Sequence, residues 1–145
     1  MTRIDFYILQ DVDLDAMRRF ACRLAGKAIT GGHEVHIHTQ SAEDASIVDE
    51  LLWSYPDDRF IPHETLDDSG RAAVAAPVTL GWTEPDGLDG VLINLSDEIP
   101  RFFGRFDRVA EVIPRSRRDA GRDRYKFYRD RGYPLFHHEL DDWEA

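Results

Sequence analysis

An α/β fold, with a mostly parallel sheet and helices on both faces in a Rossmann-like three-layer sandwich, is the fold class this sequence predicts. Three observations carry it. Strand-like and helix-like segments alternate from the first residues to the last. The first helix-like segment repeats its apolar residues at three- and four-residue intervals. Val91-Leu92-Ile93 is a continuous apolar run, the pattern of a strand covered on both faces.

Arg3–Leu9 is rich in β-branched and aromatic side chains and reads as the first strand. Asp13 or Asp15 can cap the helix that follows, in which Leu14, Met17, Ala21, Leu24 and Ala28 form one apolar face until Thr30-Gly31-Gly32 stops it. Glu34–Thr39 is a second strand. Ser41 starts a second helix with Glu43 and Asp44 in its first turn, where carboxylates favour the free amides, and the helix runs to about Ser54. Pro56, Pro62, Pro77 and Pro85 make the middle less regular, and Asp67-Asp68-Ser69-Gly70 is a surface loop. Short strands follow at Val78–Gly81 and Gly90–Asn94. Phe102, Phe103 and Phe106 suggest a helix, Val109–Ile113 a further strand, and Arg115–Arg131 a long final helix ended by Gly132. The acidic end, Glu139 to Ala145, is a frayed tail unless Trp143 docks it.

A chain of 145 residues makes one domain over its whole length, burying roughly 70% of the surface of its unfolded form. With 42% apolar and 32% charged residues it has the composition of a soluble globular protein. No apolar run approaches the ~18–20 residues of a membrane span, and acids interrupt the opening where a signal peptide would stay apolar, so a cytoplasmic location is expected. The single cysteine, Cys22, excludes an internal disulfide and a cysteine zinc cage, and reads as a small packing residue rather than a nucleophile.

The formal net charge of −10 argues against strong direct binding of DNA. Eight of the 18 Lys and Arg residues, however, lie between Arg115 and Arg131, opposed there only by Asp119, Asp123 and Asp130. An acidic chain with one basic stretch suits a small anionic group better than a long polyanion.

Enzymatic readings lack their motifs. After the first strand comes Gln10-Asp11-Val12-Asp13, with none of the glycines that let backbone amides approach phosphates, and there is no Walker-type loop or nucleophile elbow. His36 and His38 share one strand face, a workable spacing for two metal ligands, but two are not a site unless His33, His63 or His137-His138 folds back to them; structural or surface roles are favoured. No catalytic residue, cofactor or metal is expected. A nucleotide- or metal-dependent enzyme on the same fold is the alternative.

The final helix is the informative element. Arg118, Arg122, Tyr125 and Arg129 are four, three and four residues apart and form one stripe, with Lys126 beside it. Guanidinium groups hold carboxylates by paired hydrogen bonds and Tyr125 offers an apolar wall, so the stripe can receive a peptide with an aromatic side chain and a terminal carboxylate. Pattern alone favours a solvated basic face neutralised by Asp119, Asp123 and Asp130. Ala120, Phe127 and Tyr128 read as the buried side, with Arg124 unexplained beside them. A second cluster, Trp53, Tyr55 and Phe60, crowds a helix end; core packing is favoured for Trp53, less so for Phe60, which lies between two prolines.

Two segments resemble the chi subunit family of bacterial DNA polymerase III. One is the arrangement Trp53, Pro56, Phe60, Pro62, His63; the other is the run Arg122-Asp123-Arg124-Tyr125-Lys126-Phe127-Tyr128-Arg129. Phe6-Tyr7-Ile8-Leu9 and Val91–Leu95 also fit, so the likeness spans nearly the whole chain. The resemblance implies a single chi-like α/β domain without enzymatic activity, linking the clamp-loader assembly to single-stranded DNA-binding protein, whose acidic C-terminal tail ends in an aromatic residue with a free carboxylate. It implies that Arg122 pairs with that carboxylate, that Arg118, Tyr125 and Lys126 line the site, and that Ile113 gives apolar contact; Arg129 is added from the helical stripe alone. It further implies a psi subunit or a helicase as partner, on a surface bearing Trp53, Phe60 and Pro62.

Overall fold

The structure is a computed structural model and describes residues 1–55 and 60–144. Pro56, Asp57, Asp58, Arg59 and Ala145 lie outside the described residues. Seven strands of the described residues form one sheet: β1 (Arg3–Leu9), β2 (Val35–His38), β3 (His63–Thr65), β4 (Val78–Gly81), β5 (Val91–Asn94), β6 (Arg108–Ile113) and β7 (Leu135–Leu140). Their spatial order is β3-β4-β2-β5-β6-β1-β7, and every pair is parallel. Among the described residues three α-helices cover it, α1 (Leu14–Thr30), α2 (Ala42–Ser54) and α3 (Arg118–Asp130). The predicted α/β class therefore holds.

The helix starts follow from local chemistry. Asp13 Oδ1 accepts from the Ala16 amide at 2.7 Å, and Ser41 Oγ accepts from the Asp44 amide at 3.2 Å, each satisfying a donor that the first turn leaves free. Gly31 and Gly32 close α1, their amides donating to the carbonyls of Lys27 and Ile29. The Phe102–Phe106 region is only a 3₁₀ turn, Phe103–Arg105, rather than a helix. Likewise Arg115–Arg117 is a 3₁₀ turn, so the final α-helix starts at Arg118 and not at Arg115.

Alternation along β1 divides the core. Ile4 and Phe6 face α3 and pack with Leu92, Phe106, Val109, Ile113 and Tyr128. Leu9 faces the opposite layer, where Met17, Phe20, Ala21 and Ala25 of α1 meet Val48 and Leu52 of α2 over β2 and β5. Cys22 is fully buried here, which pushes its thiol up to about 12 and keeps it un-ionised.

The chain end departs from the frayed-tail reading. Leu135–Leu140 adds to the free side of β1 as an edge strand. Trp143 then docks on Phe20 at 5.2 Å and donates from Nε1 to Asp11 Oδ1 at 3.0 Å, while Glu144 is gripped by Arg19 Nε and Nη2 at 2.9 and 3.1 Å. Glu144 also accepts from the Tyr55 hydroxyl at 2.7 Å, so this one acid ties the chain end to both α1 and the end of α2.

Candidate functional site

Where α3 crosses the sheet edge a hollow of about 220 Å³ opens, lined by Phe6 and Ile8 of β1, Ile113 of β6, Arg118, Gly121, Arg122 and Tyr125 of α3, and Glu139 of β7. Its walls are set by strand alternation, since β1 turns Phe6 and Ile8 to this face. Gly121 brings α3 close: a Cβ there would stand 2.8 Å from Ile113 Cγ2. A helix-interior glycine costs roughly 1 kcal/mol relative to Ala, and the gain is the close approach of α3 to β6.

The structure gathers Ile113, Arg118, Arg122 and Tyr125 around this hollow. Lys126 is exposed and outside its lining, and Arg129 lies a turn further on, paired with Asp130 at 3.3 Å. Arg118 donates from Nη2 to Gln10 Oε1 at 3.1 Å, and its buried Nε has no hydrogen-bond partner among the described residues. Arg122 is 77% exposed and touches Asp119 at 3.1 Å, an open pair that water weakens and a ligand carboxylate can displace. Asp123 makes no ion pair among the described residues, so neutralisation of the basic face by its own acids is partial. Tyr125 is edge-on to Phe6 at 5.3 Å, which fixes its ring as a wall. Sequence reasoning missed Phe6, Ile8, Gly121 and Glu139, although the alternation of β1 carries the signal for the first two.

Arg124, unexplained from the sequence, is the buried anchor of α3. It is 5% exposed and donates from Nη1 to Glu111 Oε1 at 2.9 Å; Glu111 is fully buried and also accepts from Tyr128 at 2.7 Å and Asn94 at 3.0 Å. Arg124 Nη2 donates to the carbonyls of Ser96 and Asp97. Burial pushes the Glu111 carboxyl up, against the pull of Arg124, Tyr128 and Asn94. This network ties α3 to β6 and to the turn after β5, and so holds the hollow's basic face in place.

The histidines disperse. His36 Nδ1 lies 2.7 Å from Thr79 Oγ1, and His38 packs against Phe102. Burial lowers His36 to about 3 and His38 to about 4, so both are neutral. His63 pairs with Asp49 at 3.0 Å and His138 with Asp5 at 3.0 Å. No group of three or more His, Cys, Asp or Glu suited to a metal occurs among the described residues.

Trp53 does not enter the core, contrary to the reading that favoured packing: it is 66% exposed, because α2 turns this position away from the sheet. Phe60 is 52% exposed and its ring centroid is 5.1 Å from that of Trp53, with His63 beneath at 5.2 Å from Trp53. Pro62 is exposed beside them. Two large rings side by side in water form a surface of the kind that anchors a protein partner. No helix among the described residues is long and apolar enough to cross a membrane.

A family model described as DNA polymerase III chi subunit, HolC, matches residues 1–136. The chain is 42% identical over 143 residues to the DNA polymerase III subunit chi of Pseudomonas aeruginosa, covering 97% of this chain and 98% of that one. It is 32% identical over 135 residues to the same subunit of Haemophilus influenzae, covering 90% and 92%, and 30% identical over 143 residues to that of Escherichia coli, covering 93% and 96%.

Proposed function

Because the chain belongs to the DNA polymerase III chi subunit family, we propose that it is a non-catalytic accessory subunit whose α3 hollow takes the acidic, aromatic-ended tail of single-stranded DNA-binding protein and links it to the clamp-loader complex. The observation that carries this reading is the juxtaposition of two guanidinium groups with apolar walls. Arg118 and Arg122 stand at a hollow floored by Phe6, Ile8 and Ile113. A terminal carboxylate next to an aromatic ring needs both features within one residue's length. Lys126 and Arg129 attract the acidic residues that precede the end, from positions outside the hollow. The exposed Trp53–Phe60–Pro62 surface is on a different element, α2 and the segment after it, and serves the second partner, a psi subunit or a helicase. Two separate surfaces are what a linker needs.

The test is titration of the intact chain with a peptide copying that tail, followed by calorimetry. Micromolar binding is expected, weakened by added salt because the charges are partly exposed, and lost in Arg122→Ala. Absence of binding at low salt defeats the proposal, as does an Arg122→Ala protein that binds as tightly as the parent.

A further inference from the structure

The two sheet faces at β1 and β7 carry different hollows. Phe6, Ile8 and Glu139 face the α3 hollow, whereas the alternate residues Asp5, Tyr7, His138 and Leu140 face a larger groove of about 660 Å³ beneath α1. Both faces of a parallel sheet are normally covered. Here α1 packs over β2, β5 and β6, and Phe136 and His138 of β7 stay partly exposed. The α1 residues that sequence periodicity assigns to the core, Leu24 and Ala28, are only partly buried because they form a wall of this groove.

The groove combines carbon walls with a cationic rim. Phe20 meets Trp143 edge-on at 5.2 Å, and Tyr7 stacks on His138 at 4.7 Å. Arg23, Lys27 and Arg108 supply the charge at the opening, with His33 beside them; Arg108 is shared with Asp5, and Arg23 also bonds Tyr55 and faces Glu144. Lys27 has no ion-pair partner among the described residues, and Arg23 lies over the Trp143 ring at 5.7 Å. The acid in the groove, Asp5, is already satisfied by Arg3 at 3.0 Å, Arg108 at 3.4 Å and His138 at 3.0 Å. The end of α1, whose carbonyls would repel an anion, is closed: the amides of Gly31, Gly32 and His33 donate to Lys27, Ile29 and Ala28.

We infer that this groove is a second ligand site, for a nucleoside phosphate. Its volume falls in the range of small-ligand pockets. A single carboxylate calls for one guanidinium, whereas a phosphate monoester carries about −1.5 to −2 charges and suits a ring of several cations that includes a lysine point charge. A base supplies the flat apolar body for walls built of Tyr7, Phe20 and Trp143. The cationic end of the groove lies toward the amino ends of β1, β5 and β6, at Asp5, Val91 and Arg108, while Leu140 and Trp143 line its other end past β7. It is therefore distinct from the carboxyl-end position that needs a glycine-rich loop, and side chains rather than amides meet the phosphate. The net charge of −10 limits the ligand to one or two nucleotides, either free or at the end of a strand.

The experiment is ¹H–¹⁵N chemical-shift titration of the intact chain with thymidine 5′-monophosphate, thymidine, and a 5′-phosphorylated oligothymidylate. Thymidine 5′-monophosphate shifts the amides of Tyr7 and Lys27 and the Trp143 indole, with a dissociation constant of about 1 mM or tighter, and thymidine binds more weakly. The exposed double substitution Arg23→Glu/Lys27→Glu weakens this by about tenfold or more, leaves the circular dichroism unchanged, and leaves tail-peptide binding at α3 intact, which separates this site from the proposed one. Tighter binding of the oligothymidylate through the same residues identifies a strand end as the source; equal or weaker binding identifies the free nucleotide. No shift at about 10 mM, equal shifts with thymidine, shifts confined to the α3 hollow, or occupancy of this groove by the acidic peptide instead would overturn the inference.

Discussion

Replacing Arg124 by Met tests how α3 is held. The substitution keeps a long, flexible chain but removes the 2.9 Å bond to Glu111 and the two bonds to the carbonyls of Ser96 and Asp97. Glu111 keeps Tyr128 and Asn94 but loses its counter-charge while remaining fully buried. Breaking one side of such a buried pair costs about 3–5 kcal/mol. Against a typical total of about 5–15 kcal/mol, the protein stays folded at room temperature but melts roughly 10 °C lower. Urea unfolding followed by circular dichroism measures this as a lowered midpoint with unchanged slope. Adding Glu111→Gln removes the stranded charge, so the double variant recovers about 1–3 kcal/mol relative to Arg124→Met alone. If Arg124→Met lies within about 1 kcal/mol of the parent, or if the two substitutions simply add, the network does not anchor the helix.

Four further outcomes follow from the same geometry. Glu139 lines the α3 hollow as a like charge to an incoming carboxylate, so Glu139→Gln tightens the tail peptide about two- to fivefold by calorimetry. Gly121→Ala gains about 1 kcal/mol of helix propensity but drives a methyl against Ile113, which costs about 1–3 kcal/mol in overpacking. The urea midpoint should fall, and a rise would mean that α3 sits farther from β6. The folded pKa of His36 is about 3, below its ordinary value near 6.5, so the unfolded chain binds the extra proton between the two; its contribution is complete above about pH 6.5 and is lost on acidification toward 3, at up to about 1.4 kcal/mol per pH unit. His36→Gln flattens that slope in urea titrations between pH 6.5 and 4. Trp53→Ala changes stability by no more than about 0.5 kcal/mol because the ring is in water, yet removes binding of the proposed second partner, read in a pull-down with purified psi or helicase.

The alternation of strands and helices was readable because parallel strands buried on both faces leave continuous apolar runs such as Val91-Leu92-Ile93, and because Asp13 and Ser41 mark helix starts by local chemistry. β3 and β7 were not readable. His63–Thr65 is three residues with no apolar pattern, and Leu135–Leu140 pairs on one side only and leaves Phe136, His137 and Glu139 exposed, so it shows no clean alternation and its register depends on β1. Arg124 looked anomalous because its partner, Glu111, is hidden inside an apolar strand 13 residues earlier. The stripe on α3 was visible as helical spacing, but the hollow's other walls come from β1, β6 and β7, brought together by a strand order that spacing alone does not specify. Trp53 misled because aromatic rings serve cores and interfaces alike, and only the orientation of α2 separates the two.

The most direct measurement is a chemical-shift map of the chain with the acidic, aromatic-ended tail peptide. Shifts centred on Ile8, Ile113, Arg118, Arg122 and Tyr125, collapsing in Arg122→Ala, are the expected result. A map centred on Trp53 and Phe60, or no saturable shift, would contradict the role assigned to α3.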